Sequence, residues 1–175
     1  MRHPDTSADA RFQEAAAALG HAFDGELLVG GNYVPLVRDG DIAYVSGQVP
    51  RVGATVVVTG RVDADVPLER AQHAAKVCAM RALALLQREL GTLERVRRIL
   101  RVTVFTQASD EFTQLSEVAD GASELLHFVL GEAGRHTRTS VGVFRLPKNA
   151  AVELDLVASC NDQAAAASAS LPENR

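Results

Sequence analysis

The segment between Pro67 and Gly91 constrains the fold of this chain more than any other. Within it, apolar residues return every three or four positions and stay on one face of a helix: Leu68, Ala71, Ala75, Cys78, Ala82, Leu85 and Leu86. Proline is favoured at the start of a helix and glycine just after its end, so both boundaries are marked. Because a helix with one apolar face must bury that face, we expect it to pack on a sheet.

Short β runs precede this helix. They are Tyr33 to Val37, Ile42 to Ser46 and Val56 to Val62, and Arg38-Asp39-Gly40 separates the first two. An Asp-Gly pair between two β runs is a strong hairpin signal, because both residues accept the backbone angles of a tight turn. The region before the long helix is therefore predicted to contain three strands, the first two in a hairpin.

The region after the helix alternates between strand and helix patterns. Val96 to Thr106 is apolar and β-branched enough for a strand, and Asp110 is placed to cap a second helix that runs to about Leu130. Two final strands follow, Thr139 to Leu146 and Ala151 to Ser159. Pro147-Lys148-Asn149 joins them and has the chemistry of a turn.

The resulting order, β-β-β-α-β-α-β-β, predicts an α+β fold: a mixed β-sheet with two long helices on one face. The other face would be left bare. Since a bare sheet face rich in Val, Ile and Leu is prone to aggregation, we expect that face to be buried in an oligomer, and a closed ring of subunits would bury it.

The chain divides into three predicted parts. Residues 1–31 form an N-terminal extension with a short helix, Ala10 to Leu19, that stops at Gly20. Residues 32–160 form the folded domain, and residues 161–175, rich in Ala and Ser, form a flexible tail. A length of 175 residues suits one domain with a substantial core.

Composition narrows the classes of partner. The net charge is −4 and the pI is near 5.7, so the chain lacks the basic excess usual in proteins that bind nucleic acid or anionic membranes. No apolar stretch is long enough to span a bilayer, and a cytoplasmic location is expected by default. Cys78 and Cys160 are far apart in sequence and are expected to be reduced structural thiols. His73 and His127 stand apart from other ligand types, so no metal site is predicted.

The strongest functional signal lies near the C-terminus, where Arg138 opens an alternating strand and Glu153 sits in the next one. An arginine on a strand offers a fixed planar fork of donors that fits a carboxylate, so a small anionic substrate is expected. The residues alone leave alternatives open. Arg138 would more often be a surface or ion-paired arginine, and Glu153 alternates with apolar neighbours as in any half-exposed strand.

Two segments carry a resemblance to a known family. Residues 40–50 read Gly-Asp-Ile-Ala-Tyr-Val-Ser-Gly-Gln-Val-Pro, and together with residues 138–158 they resemble the reactive-intermediate deaminase family (Rid/YjgF), also called L-PSP endoribonuclease-like. The similarity runs from about residue 32 to residue 158. It implies a chorismate-mutase-like domain that forms homotrimers with clefts between subunits. It also implies hydrolysis of 2-imino acids to 2-keto acids and ammonia, without a metal or organic cofactor.

The resemblance also assigns roles by position. Arg138 matches the arginine that binds the substrate carboxylate, and Glu153 the glutamate associated with the attacking water. Tyr33 matches a tyrosine that lines the cleft, and Gly47, with Ser46 beside it, a glycine whose backbone approaches the ligand. From the residues alone, Tyr33 would usually be core or rim, and Gly47 would merely permit a bend.

Two positions depart from the family pattern. Ser140 stands where many members have a cysteine, and Ser116 where an asparagine is expected. Both are kept as candidate substrate-binding residues, and both bear on which substrate side chain the cleft accepts. Neither departure removes the carboxylate-binding arginine.

Three functions remain open at this point. The first is an imine or enamine deaminase that acts on a small carboxylate substrate. The second is a ribonuclease. A local basic cluster favours it, namely Arg95, Arg97, Arg98 and Arg101, whereas the overall acidity of the chain and the scarcity of aromatic residues argue against it. The third is a trimer that binds small carboxylates without catalysis. A simple hairpin of the last two strands would place Arg138 opposite Ser159 and Glu153 opposite Phe144, so only the resemblance brings the pair together.

Overall fold

A computed structural model describes residues 6–161. All but the first residue of the predicted flexible tail, residues 161–175, lie outside this range. The described helices are α1 (Ala8–Leu19), α2 (Leu68–Leu90) and α3 (Leu115–Leu130). The strands are β1 (Leu36–Asp39), β2 (Ile42–Gln48), β3 (Arg51–Val52), β4 (Thr55–Val56), β5 (Val96–Gln107), β6 (Thr137–Val143) and β7 (Val152–Cys160).

Five of the strands form one mixed sheet in the order β1-β2-β7-β5-β6. All neighbours are antiparallel except β5 and β6, which are parallel and are connected through α3. Both α2 and α3 pack on the same face of the sheet. The α+β fold class with two long helices on one face is confirmed, as is the hairpin at Gly40, where β1 turns into β2.

The helical layer is close-packed at one point. A Cβ atom at Gly121 of α3 would lie 2.5 Å from the backbone oxygen of Gln72 in α2. The two helices therefore approach each other more closely than any side chain at position 121 permits. The core between helices and sheet is aliphatic, as the scarcity of aromatic residues requires: Met80, Leu83, Leu86, Ile99, Val102, Leu126, Leu154 and Leu156 are all fully buried.

The last two strands do not form a hairpin, because β5 lies between β6 and β7 in the sheet. The connection between them crosses from one side of β5 to the other through a turn at Pro147–Asn149. The buried side chain of Gln107, at the end of β5, holds this crossing. Its amide donates to Asn149 Oδ1 at 2.8 Å, and its carbonyl accepts from the backbone of Leu146 at 2.9 Å.

Two further local predictions are wrong. The run Val56 to Val62 is not a strand: β3 and β4 form a two-residue hairpin around Gly53, and only isolated bridges follow at Thr59 and Val62. Val58 and Val62 of this run are buried without a continuous ladder, and Val56 and Val57 are partly exposed. Asp110 does not cap α3, which begins five residues later, because Ser109 is tied back to Val62 and Asp63 and the chain turns before the helix starts.

The N-terminal helix is part of the packed structure. Ser7 caps α1, whose apolar face contacts α2 and α3 and buries Phe12. Asp9 fastens it to the end of α2. Its carboxylate accepts hydrogen bonds from Gln87 Nε2 at 2.7 Å, Thr92 Oγ1 at 2.6 Å and the backbone of Leu93 at 2.9 Å. These bonds lower the pKa of Asp9, although burial alone would raise it.

Candidate functional site

Three of the residues singled out from the sequence line one pocket of about 80 Å³: Tyr33, Gly47 and Glu153. Its walls come from the loop before β1, the end of β2, β3, α2, the Pro147–Asn149 turn and the start of β7. Glu153 reaches the pocket because it alternates along β7 with Val152 and Leu154, which are fully buried under the helices. The carboxylate therefore lies on the face of the sheet that none of the described helices covers.

A bulge in β2 brings Gly47 against that carboxylate. The pairing of β2 with β7 shifts between Val45 and Gln48, so that two residues of β2 stand opposite Asp155. A Cβ atom at Gly47 would lie only 1.9 Å from Glu153 Oε1 and 2.9 Å from its Cδ. The space beside Gly47 is thus filled by the Glu153 carboxylate, and only glycine leaves room for it in this position.

The Glu153 carboxylate is half-buried and makes no hydrogen bond or ion pair with any residue in the described range 6–161. Burial raises the pKa of Glu153, and the negative charge of Asp155, two residues along the same strand face, raises it further. A desolvated carboxylate with a raised pKa is a better proton acceptor than an exposed one, and perturbed groups of this kind are frequent in functional sites.

Ser46 lies beside the pocket and connects it to two residues that sequence reasoning missed. Gln48 donates to the carbonyl and hydroxyl oxygens of Ser46 at 3.0 and 3.4 Å, and its own side-chain oxygen accepts from Arg81 Nε at 3.2 Å. Arg81 is only 3% exposed. The sequence does contain a signal for Arg81, because it is a single charged residue on the apolar side of α2, three residues after Cys78.

Arg138 belongs to a second cluster, between β6 and α3. Its Nη1 donates to Asp120 Oδ1 at 2.8 Å and to Ser123 Oγ at 2.9 Å, and its Nη2 donates to the carbonyl oxygen of Ser116 at 3.3 Å. Of its five N–H groups, Nε–H and one N–H of Nη2 donate to no residue within 6–161. These two donors suffice for a bidentate contact with a carboxylate.

His136 extends this cluster. Its Nδ1 lies 2.6 Å from the carbonyl oxygen of Gly134 and its Nε2 lies 3.0 Å from Ser123 Oγ. Because a carbonyl only accepts, Nδ1 carries the proton, and the Ser123 hydroxyl donates to Nε2 while it accepts from Arg138. Burial lowers the pKa of His136, the Gly134 carbonyl opposes this effect, and the nearby Arg138 charge lowers the pKa further. The neutral ring thus fixes Ser123, which helps to hold Arg138.

The two clusters lie on opposite faces of the sheet. Arg138 pairs with Val102 of β5, whose side chain faces the helices, whereas Glu153 pairs with Phe105, three residues further and on the other face. Two strand spacings across and three residues along the sheet separate their Cα atoms by about 14 Å. Ser140, two residues after Arg138, and Ser116 lie on the Arg138 side. A single chain therefore does not bring all the predicted site residues together.

The sheet order and the helical layer on one face define an α+β protein with a chorismate-mutase-like fold. The family described as "YjgF/chorismate_mutase-like, putative endoribonuclease" matches residues 9–160, and the chain belongs to this family. Within the described residues, no helix has the length and apolar character needed to cross a membrane.

Three relatives illustrate the similarity. Protein TCP17 of Trypanosoma cruzi is 42% identical over 132 residues, which are 75% of this chain and 82% of that protein. Atu1372 from Agrobacterium tumefaciens, a crystal structure described as having unknown function, is 37% identical with a TM-score of 0.78, and the match covers 89% of this chain and 96% of that one. A crystal structure from Shewanella oneidensis, described as a "putative endoribonuclease", is 27% identical with a TM-score of 0.80, and the match covers 88% of this chain and 99% of that one.

Proposed function

We propose that this protein hydrolyses small 2-imino acids, or the enamines in equilibrium with them, to 2-keto acids and ammonia. The observation that carries the proposal is the Glu153 carboxylate: it is half-buried, has a raised pKa and lies without a described partner beside Gly47 and Tyr33 in a pocket. Such a group can accept a proton from a water molecule aimed at an electrophilic carbon.

In the proposed reaction, Glu153 takes a proton from water as the water oxygen bonds to the imine carbon. The carbon becomes tetrahedral, and the imine nitrogen receives the proton that Glu153 took from the water. The remaining proton then moves from the new hydroxyl group to the nitrogen through Glu153, the C=O bond forms as the C–N bond breaks, ammonia leaves and the 2-keto acid remains. Arg138 binds the carboxylate of the substrate through its two remaining donors and so fixes the imine carbon relative to the water.

The proposal requires a second copy of the chain, because Arg138 and Glu153 lie on opposite faces of the sheet within one copy. β6 is an edge strand, so Arg138 lies where a neighbouring copy can dock. We expect a homotrimer in which each cleft takes Arg138 from one subunit and Glu153 from the next. That arrangement also covers the face of the sheet on which Val37 and Tyr44 are each about half exposed.

The first test measures ammonia and keto-acid release from freshly generated 2-iminopropanoate. The wild type is expected to accelerate hydrolysis above the spontaneous rate, and Arg138→Ala and Glu153→Gln are each expected to lower kcat/KM by about 10²-fold or more, since each removes a charged contact. Arg135→Ala and Glu132→Gln are matched controls, because these residues form an exposed ion pair with each other nearby. Wild-type protein that never exceeds the spontaneous rate rejects the deaminase.

The second test addresses the shared cleft. If Arg138→Ala and Glu153→Gln chains are mixed in equal amounts and allowed to exchange subunits, about one quarter of the clefts in a cyclic assembly combine an intact Arg138 with an intact Glu153. Activity is therefore expected to rise to about a quarter of the wild-type value. A mixture no more active than its two components rejects the shared cleft.

A ribonuclease is the second candidate, because the family description names that activity. The basic cluster predicted for it offers limited support. Arg97 forms an ion pair with Asp41 at 2.6 Å, and Arg101 donates to Thr139 at 2.9 Å. Cleavage of a labelled RNA that weakens steeply with added salt would favour this function. Binding of keto acids without turnover of any imine would instead favour a non-catalytic carboxylate-binding protein.

A further inference from the structure

The pocket that holds Glu153 is lined by more positive than negative charge. Arg51, Arg81 and Lys148 are among its lining residues, and Glu153 is the one residue with a carboxylate among them in the described chain. None of the three cations forms an ion pair with a described residue. The lining therefore carries a net charge of plus two when Glu153 is ionised, in a partly desolvated space.

Among the described residues, Arg81 has neutral hydrogen-bond partners only. Its guanidinium donates to Gln48 Oε1 at 3.2 Å, to the carbonyl oxygen of Arg51 at 3.0 Å and to that of Leu28 at 3.1 Å. Burial lowers the pKa of Arg81, and the adjacent Arg51 charge lowers it further, since two like charges disfavour each other. These bonds also tie three parts of the pocket wall to α2, so a structural role accounts for Arg81 itself.

A structural role does not account for Arg51. Its Nε is buried and has no hydrogen-bond partner within residues 6–161, and its Nη1 makes only a long contact of 3.4 Å with the carbonyl oxygen of Leu28. Its Nη2 donates to no described residue. A buried donor without an acceptor costs free energy, and an anion that enters the pocket would remove that cost.

Lys148 adds a third cation at the exposed side of the pocket. It lies in the turn that carries the chain from β6 to β7, with a φ of 57°, in the left-handed region. Gln107 fixes this turn through Asn149, so the lysine backbone is held in place while its side chain is exposed. The two cations with unused donors, Arg51 and Lys148, thus come from different segments of the chain and converge on one space.

From this arrangement we infer a second anion subsite, formed by Arg51 and Lys148 in the wall of the pocket, that binds an acidic group on the substrate side chain. The inference rests on the proposed function and narrows its substrate class to 2-imino dicarboxylates. Arg138 of one copy binds the carboxylate next to the imine, Glu153 of the neighbouring copy activates the water, and the side-chain carboxylate of the substrate contacts Arg51. A pocket of about 80 Å³ has room for a carboxylate with the methylene next to it.

Binding of the product acids tests the subsite without any turnover. The probes are 2-oxoglutarate and 2-oxopentanoate, which have the same number of carbon atoms and differ at the end of the side chain, where one has a carboxylate and the other a methyl group. Calorimetry on the full chain is expected to give a dissociation constant at least tenfold lower for 2-oxoglutarate. In Arg51→Gln this preference is expected to fall to within threefold, and Lys148→Gln is expected to reduce it by a smaller factor.

Arg70→Gln is the matched control, because Arg70 is exposed on α2 and does not line the pocket. It is expected to keep the wild-type preference. Equal affinity of the wild type for the two acids overturns the inference, as does a preference that survives in both Arg51→Gln and Lys148→Gln. An equal loss for both acids in Arg51→Gln also overturns it, since Arg51 would then bind the carboxylate that the two probes share.

The failure of this inference and the failure of the proposed function give different results. A tenfold preference that depends on Arg51, found in a protein that hydrolyses no imine, supports the subsite and rejects the deaminase. Hydrolysis of 2-iminopropanoate without any preference for the dicarboxylate supports the deaminase and rejects the subsite.

Discussion

Replacing Gly47 with alanine moves the proposed catalytic carboxylate by a distance that the structure gives directly. The new Cβ atom would lie 1.9 Å from Glu153 Oε1, and this separation must open to at least 3.0 Å. The backbone of β2 is held by the sheet, so the flexible end of the Glu153 side chain moves, by about 1 Å. A misplacement of about 1 Å in a reacting group can cost about 10²-fold in rate. We therefore expect kcat to fall by about 10²-fold in Gly47→Ala.

The folded state is expected to lose little stability, because the group that moves is the end of a side chain and not the backbone. Thermal unfolding of Gly47→Ala should therefore remain within a few degrees of the wild type. Gly25→Ala is the matched control, since a Cβ atom at Gly25 meets nothing within 4 Å. The assay is keto-acid release from 2-iminopropanoate, measured together with the melting temperature. Full activity in Gly47→Ala would refute the role of the Glu153 position, and a large loss of stability would refute the steric reasoning.

Three further predictions concern titration and packing. As the pH is lowered, kcat/KM should fall with an apparent pKa above the ordinary value of a glutamate, because Glu153 acts as a base in its deprotonated form and burial raises its pKa. This decrease in acid should be absent from the residual activity of Glu153→Gln. Asp9→Ala should cost about 2 kcal/mol and lower Tm by roughly 4–8 °C through three lost hydrogen bonds. Because the folded-state pKa of Asp9 is lowered, its contribution is complete above the unfolded-state pKa and is lost as pH falls through the folded-state value, so wild type and Asp9→Ala should converge in stability in acid. Gly121→Ala should destabilise by about 1–2 kcal/mol in a denaturant titration, since the overpacking against the Gln72 backbone exceeds the gain in helix propensity, and an unchanged midpoint would contradict the close approach of α2 and α3.

Much of the architecture follows from local patterns in the sequence. The helix from Leu68 to Leu90 has a continuous apolar face and marked ends, and β5 has a long β-branched run, so both were predictable to within a residue or two. The errors come from tertiary contacts. Val56 to Val62 resembles a strand in sequence because it is rich in β-branched apolar residues, yet beyond Val56 it pairs only through isolated bridges at Thr59 and Val62 within the described residues. The position of β5 between β6 and β7 depends on Gln107 and on the crossover through α3, which no local pattern encodes.

The candidate site was predicted only in part. Tyr33, Gly47 and Glu153 were found through a resemblance, and the structure gives Gly47 a physical role that the sequence alone did not suggest, namely space for the carboxylate. The partners of Arg138 were not predicted. Asp120 and Ser123 occur on α3 among other polar residues, and only the packing of α3 over β6 distinguishes them from solvated positions.

The pairing of Arg138 with Asp120 has a consequence for the proposed cleft. An arginine held by a helix at two of its nitrogen atoms loses little further freedom when a ligand binds, so its orientation is fixed before the substrate arrives. Asp120 also offsets the guanidinium charge, which weakens the attraction for a carboxylate. The neutral His136 ring and Ser123 help to fix the orientation of Arg138 without offsetting its positive charge, because neither carries a negative charge. Under the proposed function, this arrangement favours precise positioning of the substrate carboxylate over maximal affinity, and in the proposed trimer selectivity between substrates falls to the pocket around Glu153 of the neighbouring copy.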